Sequence, residues 1–329
     1  MNKILGIGNA LLDVLVKIED DTILQTMRLP KGSMQWVDDI QHQQILDFFA
    51  TQQAHMSCGG SSANTVKALG RLGNGVSFLG KVGHDEYGDF YEQELKQHGV
   101  IPLLLRSEKS TGTCSAFITS DGERTFGDCM GASLTLDVSE LLPSMFEGFD
   151  YVYIEGYMVQ NPALLLRAVQ LSKNAHAQVC LDLASYNVVE NNLPFFKDLI
   201  TRYVDIVFAN EDEARSFTGK PAEEAVAEIA SLCSIAVVKV GERGSYIRKG
   251  TESIQMPAIA VPQVVDTTGA GDLYAAGFLH GLIQGFSLEK CGKIATLLAA
   301  HVIQTMGTTF APEQWNVIRE EINQMFRIA

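Results

Sequence analysis

A three-layer α/β/α fold built on a mostly parallel sheet, with a small β-sheet lid, is the fold class that this sequence predicts. Three observations point to it: short apolar runs rich in β-branched residues, amphipathic helical stretches alternating with them, and two segments that break the alternation. Strand candidates are Ile4–Ile7, Val76–Leu79, Tyr151–Ile154, Val179–Leu183, Ile206–Ala209, Ala236–Val240 and Tyr246–Ile247. Helical stretches include Ala63–Leu72, Tyr87–His98, Ala163–Asn174, Ala222–Ser231 and Leu288–Met306. Continuous apolar strands are what a parallel sheet covered on both faces requires. The two exceptions, about 12–36 and about 101–130, read as short strands and turns punctuated by Thr, Ser and Gly, and predict the lid. No repeat, low-complexity block or long linker divides the chain, so one domain over 1–329 is expected.

Composition narrows the function. Hydrophobic content of 46% with 19% charged residues suits a packed core. A net charge of −14 argues against a nucleic-acid or anionic-membrane surface, which would need a basic patch. The six cysteines are scattered without a CxxC pair, as expected of reduced thiols in a cytoplasmic protein. The apolar start, Met1–Gly8, is broken early by Asp13 and Lys17, and reads as a first strand instead of a signal peptide. No apolar window reaches the roughly 18 residues that span a bilayer.

The most informative stretch is Val264-Val265-Asp266-Thr267-Thr268-Gly269-Ala270-Gly271-Asp272, which runs into an apolar helix. A glycine turn at a helix start leaves the N–H groups of Gly269, Ala270 and Gly271 free to bind an anion. Asp272 stands at the mouth of that site. A carboxylate would repel a bound phosphate, so its use is chemical: it takes the proton of a hydroxyl that attacks the phosphate. This reads as a kinase. A bare Gly-Ala-Gly-Asp corner would equally serve as an ordinary strand–turn–helix with an acid in its first turn.

Three other segments carry polar groups at predicted strand or helix ends. Gly6-Ile7-Gly8-Asn9 lacks the third glycine of a dinucleotide fingerprint, which argues against NAD. Asn9 and Asp13 are either turn residues or acceptors for vicinal hydroxyls. Cys58-Gly59-Gly60-Ser61-Ser62-Ala63-Asn64 opens a helix: Gly59 and Gly60 permit close backbone approach, and Asn64 both donates and accepts, although Ser61 or Ser62 could simply cap the helix. Asn210-Glu211-Asp212-Glu213 offers a carboxylate suited to Mg²⁺ held through water, or an acidic first turn of the ordinary kind.

The two glycine motifs, about two hundred residues apart and in this order, resemble the two signatures of the ribokinase-like (PfkB) carbohydrate and nucleoside kinases, over essentially the whole chain. The resemblance implies ATP as phosphoryl donor, Mg²⁺, and K⁺ as a monovalent activator. It implies Asp272 as the base and Gly269, Ala270 and Gly271 as the anion hole. Asn9, Asp13, Gly59, Gly60 and Asn64 would hold the acceptor. Glu155 and Tyr157 close another predicted strand, at the edge where open α/β sheets bind ligands, and are expected to line the pocket on that ground. Asn210 and Glu213 match the family's Asn-x-x-Glu pattern, Glu213 holding Mg²⁺ through water. The nucleotide would lie against Lys239, Gly241 and Gly244, with Thr267 at the phosphates and the helix carrying His301 behind the base. Asp266, Thr268 and the Thr305–Thr309 loop resemble the family's monovalent-cation site, and Asp121–Arg124 reads as a hairpin tip in the lid.

The acceptor is read from Gly8-Asn9-Ala10-Leu11-Leu12-Asp13, which is similar to the Gly-Asn-Pro-Leu-Leu-Asp opening of adenosine kinases, with Ala10 in place of Pro. Leu11, Leu12, Met34 and Trp36 would then wall a purine, or would form the lid's own core. A primary hydroxyl such as the 5′-OH of adenosine is the expected acceptor, with a free sugar such as ribose or fructose as the alternative. A ligand-sensing protein without catalysis is the rival from another class. An exposed lid sheet would also allow a homodimer.

Overall fold

The computed structural model describes residues 3–52, 54–119 and 123–326. Among these, two sheets form. With strands numbered in chain order, the large sheet runs β14 (Glu252–Met256), β13 (Ser245–Lys249), β12 (Ile235–Lys239), β11 (Ile206–Asn210), β10 (Gln178–Asp182), β9 (Tyr151–Glu155), β1 (Lys3–Ile7), β5 (Gly75–Gly83) and β6 (Val100–Ser107). It is parallel from β6 to β12; β13 and β14 are added antiparallel.

The strands are apolar throughout because both faces are covered. Ile206 and Phe208 of β11 enter one core while Val207 and Ala209 enter the other, and β12 divides Ile235 and Val237 from Ala236 and Val238 in the same way. Helices Ser61–Arg71, Glu86–Gln97, Ala270–Ile283 and Leu288–Val302 cover the first face; Pro162–Asn174, Leu193–Tyr203, Glu211–Thr218 and Ala222–Ile229 cover the second.

The small sheet runs β3 (Met34–Trp36), β8 (Arg124–Gly131), β7 (Thr111–Ile118), β2 (Leu11–Lys17) and β4 (His55–Gly59). Its inner residues Leu12, Val14, Val16 and Phe117 pack with Ile45 and Phe49 of the helix Asp39–Phe49. Two boundaries differ from the sequence expectation. Residues 101–107 belong to β6 and pair with β5 on the large sheet, where Pro102 is tolerated because β6 is an edge. β4, which lies outside both expected lid segments, joins the small sheet beside β2. The helix expected to reach Met306 ends at Val302, where the chain turns into the 303–309 loop. Of the expected hairpin tip, Asp121 and Gly122 lie outside the described residues.

β1 and β9 are neighbours, yet the chain leaves β1 toward β5 and leaves β9 toward β10. This reversal opens a crevice at the carboxyl ends of the strands, the place where open α/β sheets bind ligands.

Candidate active site

Asp272 lies in the first turn of the helix Ala270–Ile283, half-buried at that crevice. Ser61 Oγ donates to its Oδ1 (2.7 Å) and Asn64 Nδ2 donates to its Oδ2 (2.9 Å). Both donors come from the first turn of the helix Ser61–Arg71, which starts after Gly60 at φ 93°, a conformation that favours glycine. Burial pushes the Asp272 carboxyl up to about 6, against these two bonds and against Lys239, and with the charge of Asp182. Thr308 Oγ1 in turn donates to Asn64 Oδ1 (3.0 Å), tying the 303–309 loop to the same network.

The turn before Asp272 has Gly269 in the left-handed region (φ 74°). Within the described residues the N–H groups of Gly269, Gly271 and Asp272 make no hydrogen bond. The N–H of Ala270 differs from the expectation: it closes the turn by donating to the Thr267 carbonyl (3.2 Å). The free amides are therefore those of Gly269, Gly271 and Asp272, at a helix N-terminus where anions are favoured. Lys239 faces the same spot: a Cβ added to Gly271 would stand 2.9 Å from its Nζ.

Lys239 Nζ donates to Asp182 Oδ2 (3.0 Å). Burial works against its charge, but Asp182, Glu213 and Asp272 outweigh this and hold the ammonium above its usual range. Asp182, at the carboxyl end of β10, was not singled out in the sequence; the signal available was an acid closing an apolar strand. Ala184, two residues on, takes a left-handed φ of 70° and donates its N–H to Asp182 Oδ1 (2.9 Å). Such backbone strain concentrates at functional sites.

Asn210 and Glu213 form a reciprocal capping box at the helix Glu211–Thr218. Asn210 donates its backbone N–H (2.7 Å) and its Nδ2 (2.6 Å) to Glu213, and Glu213 N–H donates to Asn210 Oδ1 (2.9 Å). Burial and the Asp182 charge push the Glu213 carboxyl up to about 7, against Lys239. Each Glu213 oxygen accepts one of these bonds.

Glu155 closes β9 but is only 1% exposed. It accepts from Asn9 N (2.9 Å), Asn9 Nδ2 (2.8 Å) and Ser62 N (2.9 Å). It joins the end of β1 to the start of a helix across the crevice, and its carboxyl is raised by burial to about 7. Tyr157 points its hydroxyl to the Ala184 carbonyl (3.4 Å).

Asp13 stands on β2, in register with Ser57 of β4 and Cys114 of β7; Cys114 is opposite Asp128 of β8, and Asp128 is opposite Trp36 of β3. Residues in one row share a face. This face also carries Leu11, Leu15, Met34 and Phe126; it is exposed at Met34 and Trp36 (61% and 67%) and buried at Asp128 (6%). Burial pushes the Asp13 carboxyl up to about 6, opposed by Lys67, with Asp128, Glu94 and Asp272 adding to it. The Gly59 backbone lies so close to the Asp13 carboxylate that no Cβ fits there.

Asp266 accepts from Thr268 N (3.0 Å), Thr268 Oγ1 (2.7 Å) and Gly307 N (3.0 Å), which joins the two loops. Burial alone would raise its carboxyl, but these donors bring it below the usual range. Gly241 (φ 59°) and Gly244 (φ 93°) flank the short helical turn Gly241–Arg243 between β12 and β13. His301 Nε2 is bound to Glu321 (2.8 Å) and its ring is edge-on to Phe310. Arg124 Nη2 reaches Met306 Sδ (2.8 Å), bringing the small sheet to the 303–309 loop.

A family model described as pfkB family carbohydrate kinase matches residues 47–315. The chain belongs to the PfkB family. As a PfkB kinase it is a phosphotransferase, and ATP is the family's phosphoryl donor, typically with Mg²⁺. It is 27% identical to adenosine kinase 2 of Arabidopsis thaliana, across 94% of this chain and 96% of that one. An uncharacterized sugar kinase of Archaeoglobus fulgidus is 27% identical over 73% of this chain and 95% of its own length. Among solved structures, a probable sugar kinase from Rhizobium etli matches with a TM-score of 0.82 and 31% identity, covering 99% of both chains. The adenosine kinase from Sinorhizobium meliloti matches with a TM-score of 0.82 and 30% identity, covering 97% of this chain and 99% of that one. These PfkB relatives divide between nucleoside and sugar acceptors.

Proposed function

We propose that this PfkB kinase transfers the γ-phosphoryl group of ATP to a primary hydroxyl, the 5′-OH of a nucleoside such as adenosine. The observation that carries the reading is the placing of Asp272: a carboxylate of raised pKa between the hydroxyl-binding face of Asp13 and the unpaired amides of Gly269 and Gly271. A base with a pKa near 6 is ionised at neutral pH and still takes a proton as the hydroxyl attacks. The amides of Gly269, Gly271 and Asp272, with Lys239, stabilise the charge that develops on the phosphoryl group. Ser61 and Asn64 fix the carboxylate so that its free lone pairs face the acceptor. Asp13 accepts two vicinal hydroxyls, with the Gly59 and Gly60 backbone and Asn64 beside it. Asn9 and Glu155 hold the β1 end and the helix start in place.

The Gly241–Gly244 turn supplies a ledge for the nucleotide, with His301 behind it and Thr267 at the phosphate turn. Mg²⁺ neutralises charge on the phosphates when bound with ATP, and Glu213 and Asp182 are the carboxylates placed to hold its waters. A monovalent cation, K⁺ in this reading, would take carbonyls of the two loops that Asp266 and Thr268 organise. The free thiols and the lack, among the described residues, of a helix long and apolar enough to cross a membrane suit a cytoplasmic enzyme. A homodimer through the small sheet would use its β3 edge, beside which no further strand lies among the described residues, because its inner face is covered by the chain's own helix; sedimentation velocity tests whether the chain dimerises.

The purine reading rests on the Trp36–Asp128–Cys114–Asp13 row, which sets an apolar wall beside the hydroxyl acceptor. A free sugar is the second reading, favoured by the sugar-kinase relative that matches as well as the adenosine kinase does. Coupled ADP release with Mg²⁺ and K⁺, across adenosine, inosine, guanosine, ribose and fructose, decides between them. Asp272→Asn should lower kcat by about 10²–10⁴ with little change in the KM for ATP. Binding without ADP release from any acceptor would favour a sensor.

A further inference from the structure

Among the described residues no strand lies on the outer edge of β4, yet the backbone groups at its end, Cys58 and Gly59, are taken. Glu94 Oε2 accepts the Cys58 N–H (2.5 Å), Lys67 Nζ donates to the Cys58 carbonyl, and Tyr91 Oη donates to the Gly59 carbonyl (3.1 Å). The Cys58 thiol donates back to the Tyr91 carbonyl (3.3 Å). Lys67 and Glu94 lie 3.7 Å apart, almost wholly removed from water, and His98 Nε2 is 3.7 Å from the same Glu94 oxygen, Oε1. Burial keeps His98 neutral, far below its usual range, and Arg71 Nε donates to its Nδ1 (3.2 Å).

A buried ion pair is a weak source of stability, since desolvating both charges cancels most of their attraction. Its position suggests another use. The gripped residues Cys58 and Gly59 lead directly into Gly60, Ser61 and Asn64, and Gly59 packs on the Asp13 carboxylate. Lys67 is also the cation that acts on Asp13, against the negative charges of Asp128, Glu94 and Asp272.

We propose that Lys67 and Glu94 are positioning residues for the acceptor: their pair grips β4 from the main body and so sets Gly59 and Asp13 relative to Asp272. This rests on the reading of Asp13 as the residue that binds the acceptor's hydroxyls. Neither Lys67 nor Glu94 touches the reacting atoms in this account.

The test uses the full chain with adenosine as acceptor, or ribose if adenosine is not turned over. KM for acceptor and for ATP, and Tm, are measured for wild type, Asp13→Asn, Lys67→Met, Glu94→Gln and the double variant Lys67→Met/Glu94→Leu. The single variants at 67 and 94 should raise the acceptor KM about tenfold or more, as small misplacements of a binding group do, with the KM for ATP within about twofold. The double variant should recover only part of the Tm lost in the singles, because it leaves no buried unpaired charge but strips the Cys58 N–H and carbonyl of their partners, while its acceptor KM stays high. If single variants fail to fold, the double variant decides alone. In Lys67→Met the acid limb of kcat/KM for the acceptor should also move to higher pH, because Asp13 loses the cation that opposes its burial. Recovery of acceptor KM together with Tm, or an equal rise in both KM values, would overturn the proposal. An unchanged acceptor KM in Asp13→Asn would instead overturn the reading of Asp13, and is seen without either clamp variant.

Discussion

In the large sheet, successive residues of β11 and β12 enter two different cores, whereas the small sheet packs one face into the core and leaves the other only partly covered, buried at Asp128 and exposed at Met34 and Trp36. The proposed division of labour follows from this difference. The groups assigned to phosphoryl transfer, Asp272, Lys239, Asp182 and Glu213, hang from strand ends and helix starts of a body packed on both sides. The groups assigned to recognition, Asp13 and Trp36, lie on a sheet whose second face is only partly covered, Trp36 at its exposed end. A rigid base suits chemistry that depends on placement, and a partly covered face suits contacts that assemble around a substrate.

Substitutions on the two sheets should therefore separate stability from specificity. The largest stability effect is expected at Phe208, fully buried in β11 and edge-on to Tyr153 and Phe278. Phe208→Ala should lower stability by about 3–5 kcal/mol in urea denaturation. Asp13→Asn should leave urea stability nearly unchanged or improved, and lower kcat/KM for the acceptor about 10–100-fold, the range for a charged hydrogen bond. Trp36→Ala should cost about tenfold in kcat/KM for a nucleoside and nothing for a free sugar, with stability within about 0.5 kcal/mol of wild type. Equal losses with both acceptors would break the proposed division. The smallest effect is at the capping box: Asn210→Ala should cost about 1 kcal/mol, read by thermal denaturation.

The same contrast governs what could be read from the chain. Strands of the large sheet were visible because two buried faces demand unbroken apolar runs, as in Ile206–Ala209. β4, His-Met-Ser-Cys-Gly, was not visible, because an edge strand gripped by side chains needs no such run. β6 was misplaced because Pro102 and the polar end of Val100–Ser107 imitate a turn-rich segment. At the site, the glycine turns and their acids were legible from local chemistry. Their partners were not: Ser61 meets Asp272 across 211 positions, and Asn64 meets Thr308 across 244, pairings that only the topology creates. The local pattern does not distinguish the Ala270 amide from its neighbours, since its bond to Thr267 depends on how the turn closes.

Asp272 offers a link between activity and stability. Its carboxyl is raised by burial, so the fold gains from its protonation below about pH 6 and loses that gain as pH rises through 6. The proposed role as base needs the opposite, ionised form. Asp272→Asn removes the charge, and its Tm relative to wild type should be greater at pH 8 than at pH 5.

The most direct measurement is the pH dependence of kcat/KM for the acceptor in wild type and in Asp272→Asn. Wild-type activity should fall as pH drops through about 6, where Asp13 and Asp272 both take up protons. In Asp272→Asn the residual rate should be about 10²–10⁴ lower and its acid limb shallower by one proton. A variant with near wild-type rate, or with an unchanged acid limb, would contradict the assignment of Asp272 as the base.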